Sequence, residues 1–221
     1  MNNDISNAGI VTIDDMDLNV YSKKGPLKPS YLLAIKEVFD SALQQYPRTL
    51  ILRVDLKYPN GFSIDNVSSK QITKFQESFK ALMCAYLKRK MRKNCNNRNL
   101  HSTPRFIWCK EIVTSENPHY HVAVLLNGEV FRGLGPYDGI ESNYISGMVV
   151  KAWASATGLQ VEQASRAITF PRNGRYVIHK RSSPSVFNDQ YKQAFYRISY
   201  FAKEESKKYG NREKNFGSSR K

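Results

Sequence analysis

The chain has 221 residues, 41% of them hydrophobic, and a formal net charge of +15 from 34 Lys and Arg against 19 Asp and Glu. That length supports one domain with a real core, and that apolar content excludes wholesale disorder. The longest apolar runs, "TLILRV" and "HVAVLL", are too short to span a bilayer, and no basic-then-apolar leader opens the chain, so a cytoplasmic protein is expected.

Residues 1–28 are polar and acidic, with Asp4, Asp14, Asp15 and Asp17 and no base in the first twenty, and are expected as a loosely attached arm. A domain over 29–204 and a basic tail over 205–221 follow. "SYLLAIKEVFDSALQQY" (30–46) sets Leu32, Ile35, Phe39, Ala42, Leu43 and Tyr46 on one helical stripe, closed by Pro47. "TLILRVDLKYP" (49–59) alternates as a strand, with Leu50, Leu52, Val54 and Leu56 on one side and Arg53, Asp55 and Lys57 on the other. "NGFSIDN" has turn chemistry. A long helix over about 68–93 would bury Ile72, Phe75, Phe79, Leu82, Met83 and Tyr86.

That helix ends in a basic run, Lys88, Arg89, Lys90, Arg92 and Lys93, inside a stretch without acids between Glu77 and Glu111. An Asn-rich loop over 94–103 leads to strands at about 105–113 and 119–126. A helix over 143–157, strands at "EQASRAITF" and "GRYVIHK", and a last helix near 188–204 complete the chain. A second acid-free window between Glu162 and Asp189 holds Arg166, Arg172, Arg175, Lys180 and Arg181. Two such windows point to a polyanion partner, and nucleic acid is the one expected. Cys84, Cys95 and Cys109 form no CxxC pair and are odd in number, which argues against a disulfide framework or a zinc ribbon. Strands and helices mix without regular βαβ alternation, giving an α+β class with a central antiparallel sheet.

The stretch "NPHYHVAVLL" (117–126) carries two of the four histidines of the chain. On a strand His119, His121, Ala123 and Leu125 share one face, and Tyr120, Val122, Val124 and Leu126 form the bulkier core face. A hairpin turn centred on Glu116 in "TSENP" would set Glu111 directly opposite His121. Two imidazoles and a carboxylate on one sheet face suit Mg²⁺ or Mn²⁺ with open positions for a phosphate oxygen. In the last helix Tyr191, Phe195, Ile198 and Ala202 form one stripe, while Tyr196, Tyr200 and Lys203 stand nearly opposite at i, i+4 and i+7. Phenols with a nearby lysine are what tyrosine transesterification of a phosphodiester needs, although such rings also pack or stack on bases.

Taken together, "ILRVDLKYP", "FIWCKE", "PHYHVAVLLNGEVF", "GLG", "KAWASATGL" and "AFYRISYFAKEESKKYGNREKNFGSSRK" resemble the inovirus-type replication initiators and the related YagK/YfjJ C-terminal domain family of prophages. Those are in turn similar to the HUH (His-hydrophobic-His) rolling-circle endonucleases. The resemblance rests on residues from about Leu50 onward. It implies about five antiparallel strands flanked by helices, with the histidines on a central strand. It further implies His119 and His121 as metal ligands, Glu111 as the third, and Mg²⁺ or Mn²⁺ as the cofactor. Tyr200 becomes the nucleophile, because Y-x-x-K with Lys203 fits the family pattern, and Tyr196 a second tyrosine. Ser199 stands where the fuller two-tyrosine pattern has a lysine.

The implied activity is site-specific nicking of one DNA strand, giving a 5′-phosphotyrosyl link and a free 3′-hydroxyl that primes rolling-circle replication. Single-stranded or origin DNA and a host replication helicase are the implied partners, with no membrane. No Walker "GxxxxGK[ST]" occurs, so no nucleotide cofactor is expected. Arg172, Arg175, Lys180 and Arg181, with the 88–93 run, would hold phosphates. The alternatives are a prophage DNA-binding regulator that keeps the fold without the chemistry, and a water-using metal nuclease. A two-histidine phosphoesterase has little support, because "HST" at 101–103 stands alone as a His-x-Thr element.

Overall fold

The computed structural model describes residues 9–23, 25–59, 62, 70–93, 100–112, 118–135, 144–204 and 214–220. The turns expected at "TSENP" and in most of "NGFSIDN", the loop at 94–99, and residues 205–213 lie outside the described residues.

Strands β1 (Ile10–Ile13) and β2 (Met16–Asn19) pair through a two-residue turn, Asp14–Asp15. Both aspartates take positive φ, 48° and 59°, which such a hairpin turn requires and which Asp tolerates better than most residues. Helix α1 (Pro29–Gln45) and strand β3 (Arg48–Leu56) follow, then helix α2 (Lys70–Lys93) and strands β4 (Arg105–Glu111) and β5 (His119–Asn127). Helices α3 (Ile145–Thr157) and α4 (Val161–Arg166) lead to strands β6 (Ile168–Thr169) and β7 (Arg175–His179). Helix α5 (Pro184–Ser199) tightens into a 3₁₀ turn (Tyr200–Ala202), and strand β8 (Phe216–Ser218) ends the fold.

The sheet is antiparallel, in the order β6–β3–β5–β4–β8, with β7 paired to the earlier part of β3. The class is thus α+β, with the histidine strand in the middle of the sheet. Both faces are covered. Leu50, Leu52, Val54 and Leu56 of β3 with Tyr120, Val122, Val124 and Leu126 of β5 pack under α2, α3 and α4. Ile51, Ala123 and Leu125 pack on the other side against α1, α5 and the N-terminal hairpin. Strand periodicity explains this division, because successive side chains point to opposite faces.

Three expectations need correction. Residues 9–28 are no loose arm: Val11, Ile13, Leu18, Val20 and Leu27 are buried in the core shared with α1 and α5. Polar contacts add to that packing, since Lys36 Nζ donates to Asp14 (2.9 Å) and Asp40 (2.8 Å) and the Tyr191 hydroxyl donates to Asp40 (2.9 Å). The C-terminal stretch is likewise built in, with β8 pairing with β4 and Gly217 lying opposite Trp108. Most of "EQASRAITF" is helical rather than extended, closed at its start by a reciprocal Gln160–Gln163 cap. Among the described residues no helix is long and apolar enough to cross a membrane.

Candidate metal centre and its tyrosine

Three strands and the end of α5 meet on the hairpin-and-α5 side of the sheet. Asp55 of β3 lies opposite His121 of β5, and Glu111 of β4 lies opposite His119 of β5. A turn centred on Glu116 would set Glu111 against His121, and the observed pairing is displaced from that by two residues. A two-residue shift preserves the face on which each side chain stands, so Glu111 still meets both imidazoles. Its Oε2 is 3.3 Å from His119 Nε2 and 3.2 Å from His121 Nε2.

The rest of the site is built around that carboxylate. Lys203 Nζ sits 3.3 Å from Glu111 Oε1 and donates to the Tyr200 hydroxyl at 3.0 Å. The Tyr200 hydroxyl in turn lies 3.4 Å from Glu111 Oε2. The 3₁₀ turn makes this possible. It tightens the end of α5 so that Tyr200 and Lys203, three residues apart, reach the same carboxylate, while Lys203 itself is already extended and bridges Leu27.

Asp55, which by sequence reads more readily as a solvated strand aspartate, is part of the centre. Its Oδ1 is 2.7 Å from His121 Nδ1, so that nitrogen carries the proton and Nε2 faces Glu111. Arg53 Nη2 also lies 3.1 Å from Nδ1. A guanidinium has no acceptor, so it cannot bond to a protonated Nδ1; it is held instead by Asp55, at 3.1 Å from Nε to Oδ1. The Arg53 guanidinium also stacks over the Tyr200 ring, 5.2 Å from its centroid. Asp55 could be flagged from the sequence as a support for the site, and Arg53, two residues earlier in β3, shares its face.

The electrostatics follow from burial and pairing. Burial alone would raise the Glu111 carboxyl, but hydrogen bonds from His119 and His121 and the charges of His121 and Lys203 hold it far below the usual carboxylate range. Burial works against charge on His121, yet its bonds to Asp55 and Glu111 outweigh this and raise its pKa above 6.5. The Tyr200 phenol is raised, first by burial and also by the Glu111 charge, against the lowering effect of Lys203.

The donor set fits a divalent cation. Glu111, His119 and His121 each offer one ligand atom, all within 4.8 Å of one another. Asp55 stands on the His121 nitrogen turned away from Glu111, the position that an outer carboxylate usually takes on a histidine able to ligate a metal.

Other expected site residues lie elsewhere. Tyr196 is exposed, one turn back along α5, with its ring against Tyr21 (5.8 Å); Tyr21 also contacts Tyr200 (5.4 Å). Lys88, Arg89, Lys90, Arg92 and Lys93 belong to α2, which packs on the opposite face of the sheet from the histidines. Arg172 is exposed on the connection before β7, two residues before Gly174, whose carbonyl accepts from the Arg53 backbone N–H. Arg175 stands opposite Leu52 and donates to the Arg132 carbonyl, whereas Lys180 and Arg181 follow the far end of β7. Tyr21 was missed, and nothing in its sequence neighbourhood signals it; its backbone N–H bonds to the Ser199 hydroxyl, which lashes the hairpin to the end of α5.

No solved structure shows a significant match to the chain. Two Escherichia coli (strain K12) proteins, both described as uncharacterized, are similar along nearly their whole length. YfjJ is 30% identical over 193 residues, covering 84% of this chain and 91% of its own, and YagK is 33% identical over 197 residues, covering 86% and 91%. The YagK/YfjJ C-terminal domain model matches residues 12–219, which brings the N-terminal hairpin and β8 into the shared domain. The chain belongs to the YagK/YfjJ C-terminal domain family.

Proposed function

We propose that the chain is a metal-dependent, HUH-type DNA nickase that opens rolling-circle replication of a phage or related element in the bacterial cytoplasm. One observation carries this reading: a tyrosine hydroxyl bonded to Lys203 at 3.0 Å lies 3.4 Å from the carboxylate that joins His119 and His121. Mg²⁺ or Mn²⁺ held by Glu111, His119 and His121 would neutralise and polarise the scissile phosphate.

Tyr200 Oη attacks phosphorus in line, the P–O3′ bond breaks, and the phenol proton ends, net, on the departing 3′-oxygen. The products are a 5′-phosphotyrosyl link and a free 3′-hydroxyl. Lys203 lowers the cost of phenolate character on Tyr200, whose pKa its hydrogen bond already pulls down against burial. Asp55 keeps the His121 proton on Nδ1 so that Nε2 stays available as a ligand. Arg53, over the Tyr200 ring, fixes the plane in which the hydroxyl is presented.

The test is a covalent-adduct assay: single-stranded DNA from the element's own origin region, Mn²⁺ and the full chain, read on a denaturing gel and by intact mass. An adduct lost in Tyr200→Phe and in His119→Ala, and kept in Tyr196→Phe, is the expected result. Loss in Tyr196→Phe with retention in Tyr200→Phe would move the nucleophile by one turn. Cleavage without an adduct would favour water as the nucleophile. With neither adduct nor metal binding, the DNA-binding regulator becomes the better reading.

A further inference from the structure

The N-terminal hairpin and α5 enclose a cleft of about 510 Å³, a volume within the range of small-ligand sites. Its lining includes Asn19, Ser22, Lys23, Lys192, Gln193 and Tyr196. Asp189 contributes one carboxylate to the wall, so the two lysines leave the cleft with a positive balance. The rings of Tyr196, Tyr21 and Tyr200 form a continuous row, with centroid spacings of 5.8 and 5.4 Å, that leads from the cleft to the proposed nucleophile.

These groups match the parts of a nucleotide. An exposed phenol ring offers a stacking surface for any base, the Asn19 and Gln193 amides can each donate and accept on a base edge, and ammonium groups suit phosphate oxygens. We propose that this cleft holds a nucleotide of single-stranded DNA next to the scissile phosphate, with Tyr196 stacking on its base and Lys23 and Lys192 on its phosphates. The inference rests on the nickase reading for the position of the scissile phosphate. It gives Tyr196 a binding role in place of a catalytic one, and makes the hairpin one wall of the DNA path.

The experiment uses the full chain carrying Tyr200→Phe, so that binding is read without chemistry, and a fluorescein-labelled oligothymidylate with 5-iododeoxyuridine substitutions. Anisotropy reports affinity, and peptide mass spectrometry locates the photo-cross-links. Cross-links at Tyr196 or Tyr21 are expected. Tyr196→Ala should weaken binding about tenfold, the loss of one base–aromatic stack. The double variant Lys23→Ala/Lys192→Ala should flatten the dependence of log affinity on log salt by about 1.4, for two phosphates on a single strand. These side chains are at the surface, and unchanged thermal unfolding of the variants separates lost contacts from lost folding.

Cross-links confined to the 88–93 segment, with Tyr196→Ala binding as tightly as the parent, would overturn the cleft while leaving the Tyr200 adduct assay untouched. Absence of any single-strand binding would overturn both.

Discussion

Asp55 Oδ1 and His121 Nδ1 lie 2.7 Å apart across the β3–β5 pair, and this contact decides which nitrogen of the histidine faces Glu111. With Nδ1–H committed to Asp55, Nε2 is the only ring nitrogen left for a metal or a proton. Asp55→Asn keeps the shape but removes the charge that favours that proton. Mn²⁺ affinity, measured by titration calorimetry, should fall about 10- to 100-fold, the usual effect of losing an outer partner of a ligating histidine. Unchanged affinity would remove Asp55 from the centre.

The raised pKa of His121 fixes the direction of a pH effect. A cation needs Nε2 without its proton, so binding releases a proton below the raised value and Mn²⁺ affinity should climb with pH until that value is passed. In the metal-free protein the sign reverses. The His121 contribution to stability is fully present below the ordinary value of 6.5 and is lost as pH rises through the higher folded value. Glu111 behaves oppositely: its contribution is present above 4.5 and lost only as strong acid reaches its depressed folded value. Thermal melts across pH, with and without Mn²⁺, read both signs, and His121→Ala should flatten the neutral-pH limb.

Glu111 is the common partner of two imidazoles, an ammonium and a phenol, and its side chain is 2% exposed. Glu111→Ala should abolish metal binding and remove the carboxylate that lies 3.3 Å from Lys203, which is also buried. Removing one partner of a buried ion pair costs about 3–5 kcal/mol, readable as a lower denaturant midpoint of the metal-free protein. A midpoint equal to the parent's would mean that Lys203 finds another partner or water.

Leu18 lies in a segment that is polar overall, yet it is fully buried against α1 and α5. Leu18→Ala should destabilise the whole domain by about 2–5 kcal/mol, as a core truncation does. Ile10→Ala, at a position 37% exposed on the same hairpin, should stay within about 0.5 kcal/mol. Equal midpoints for the two variants in urea would mean that the hairpin is not part of the cooperative unit.

At the other end of the chain, a Cβ built on Gly217 would fall 2.6 Å from the Trp108 indole. Trp108 is buried between β8 and the core under α2, so it has little room to give. Gly217→Ala should therefore loosen β8 from β4, cost about 1–3 kcal/mol by overpacking, and shift the tryptophan emission to the red. Unaltered emission and stability would show that β8 docks without close contact to the ring.

By itself the sequence determined the features that depend on local repetition. The period-two alternation in β3 and β5 separated the bulky apolar face from the face that carries the histidines, and the helical stripe Tyr191–Phe195–Ile198 separated core from Tyr196 in α5. Side-chain direction in a strand or helix follows from backbone geometry within a few residues, so these readings needed no neighbours.

What only the tertiary structure decided are the relations between distant segments. It set Glu111 against His119, brought Asp55 and Arg53 to His121, and folded residues 9–28 over the end of α5 with Tyr21 between two tyrosines. It also put the 88–93 basic run on the helix across the sheet from the histidines. Register and helix placement depend on burying both faces of one sheet at once, an energy shared over the whole core that no local pattern encodes.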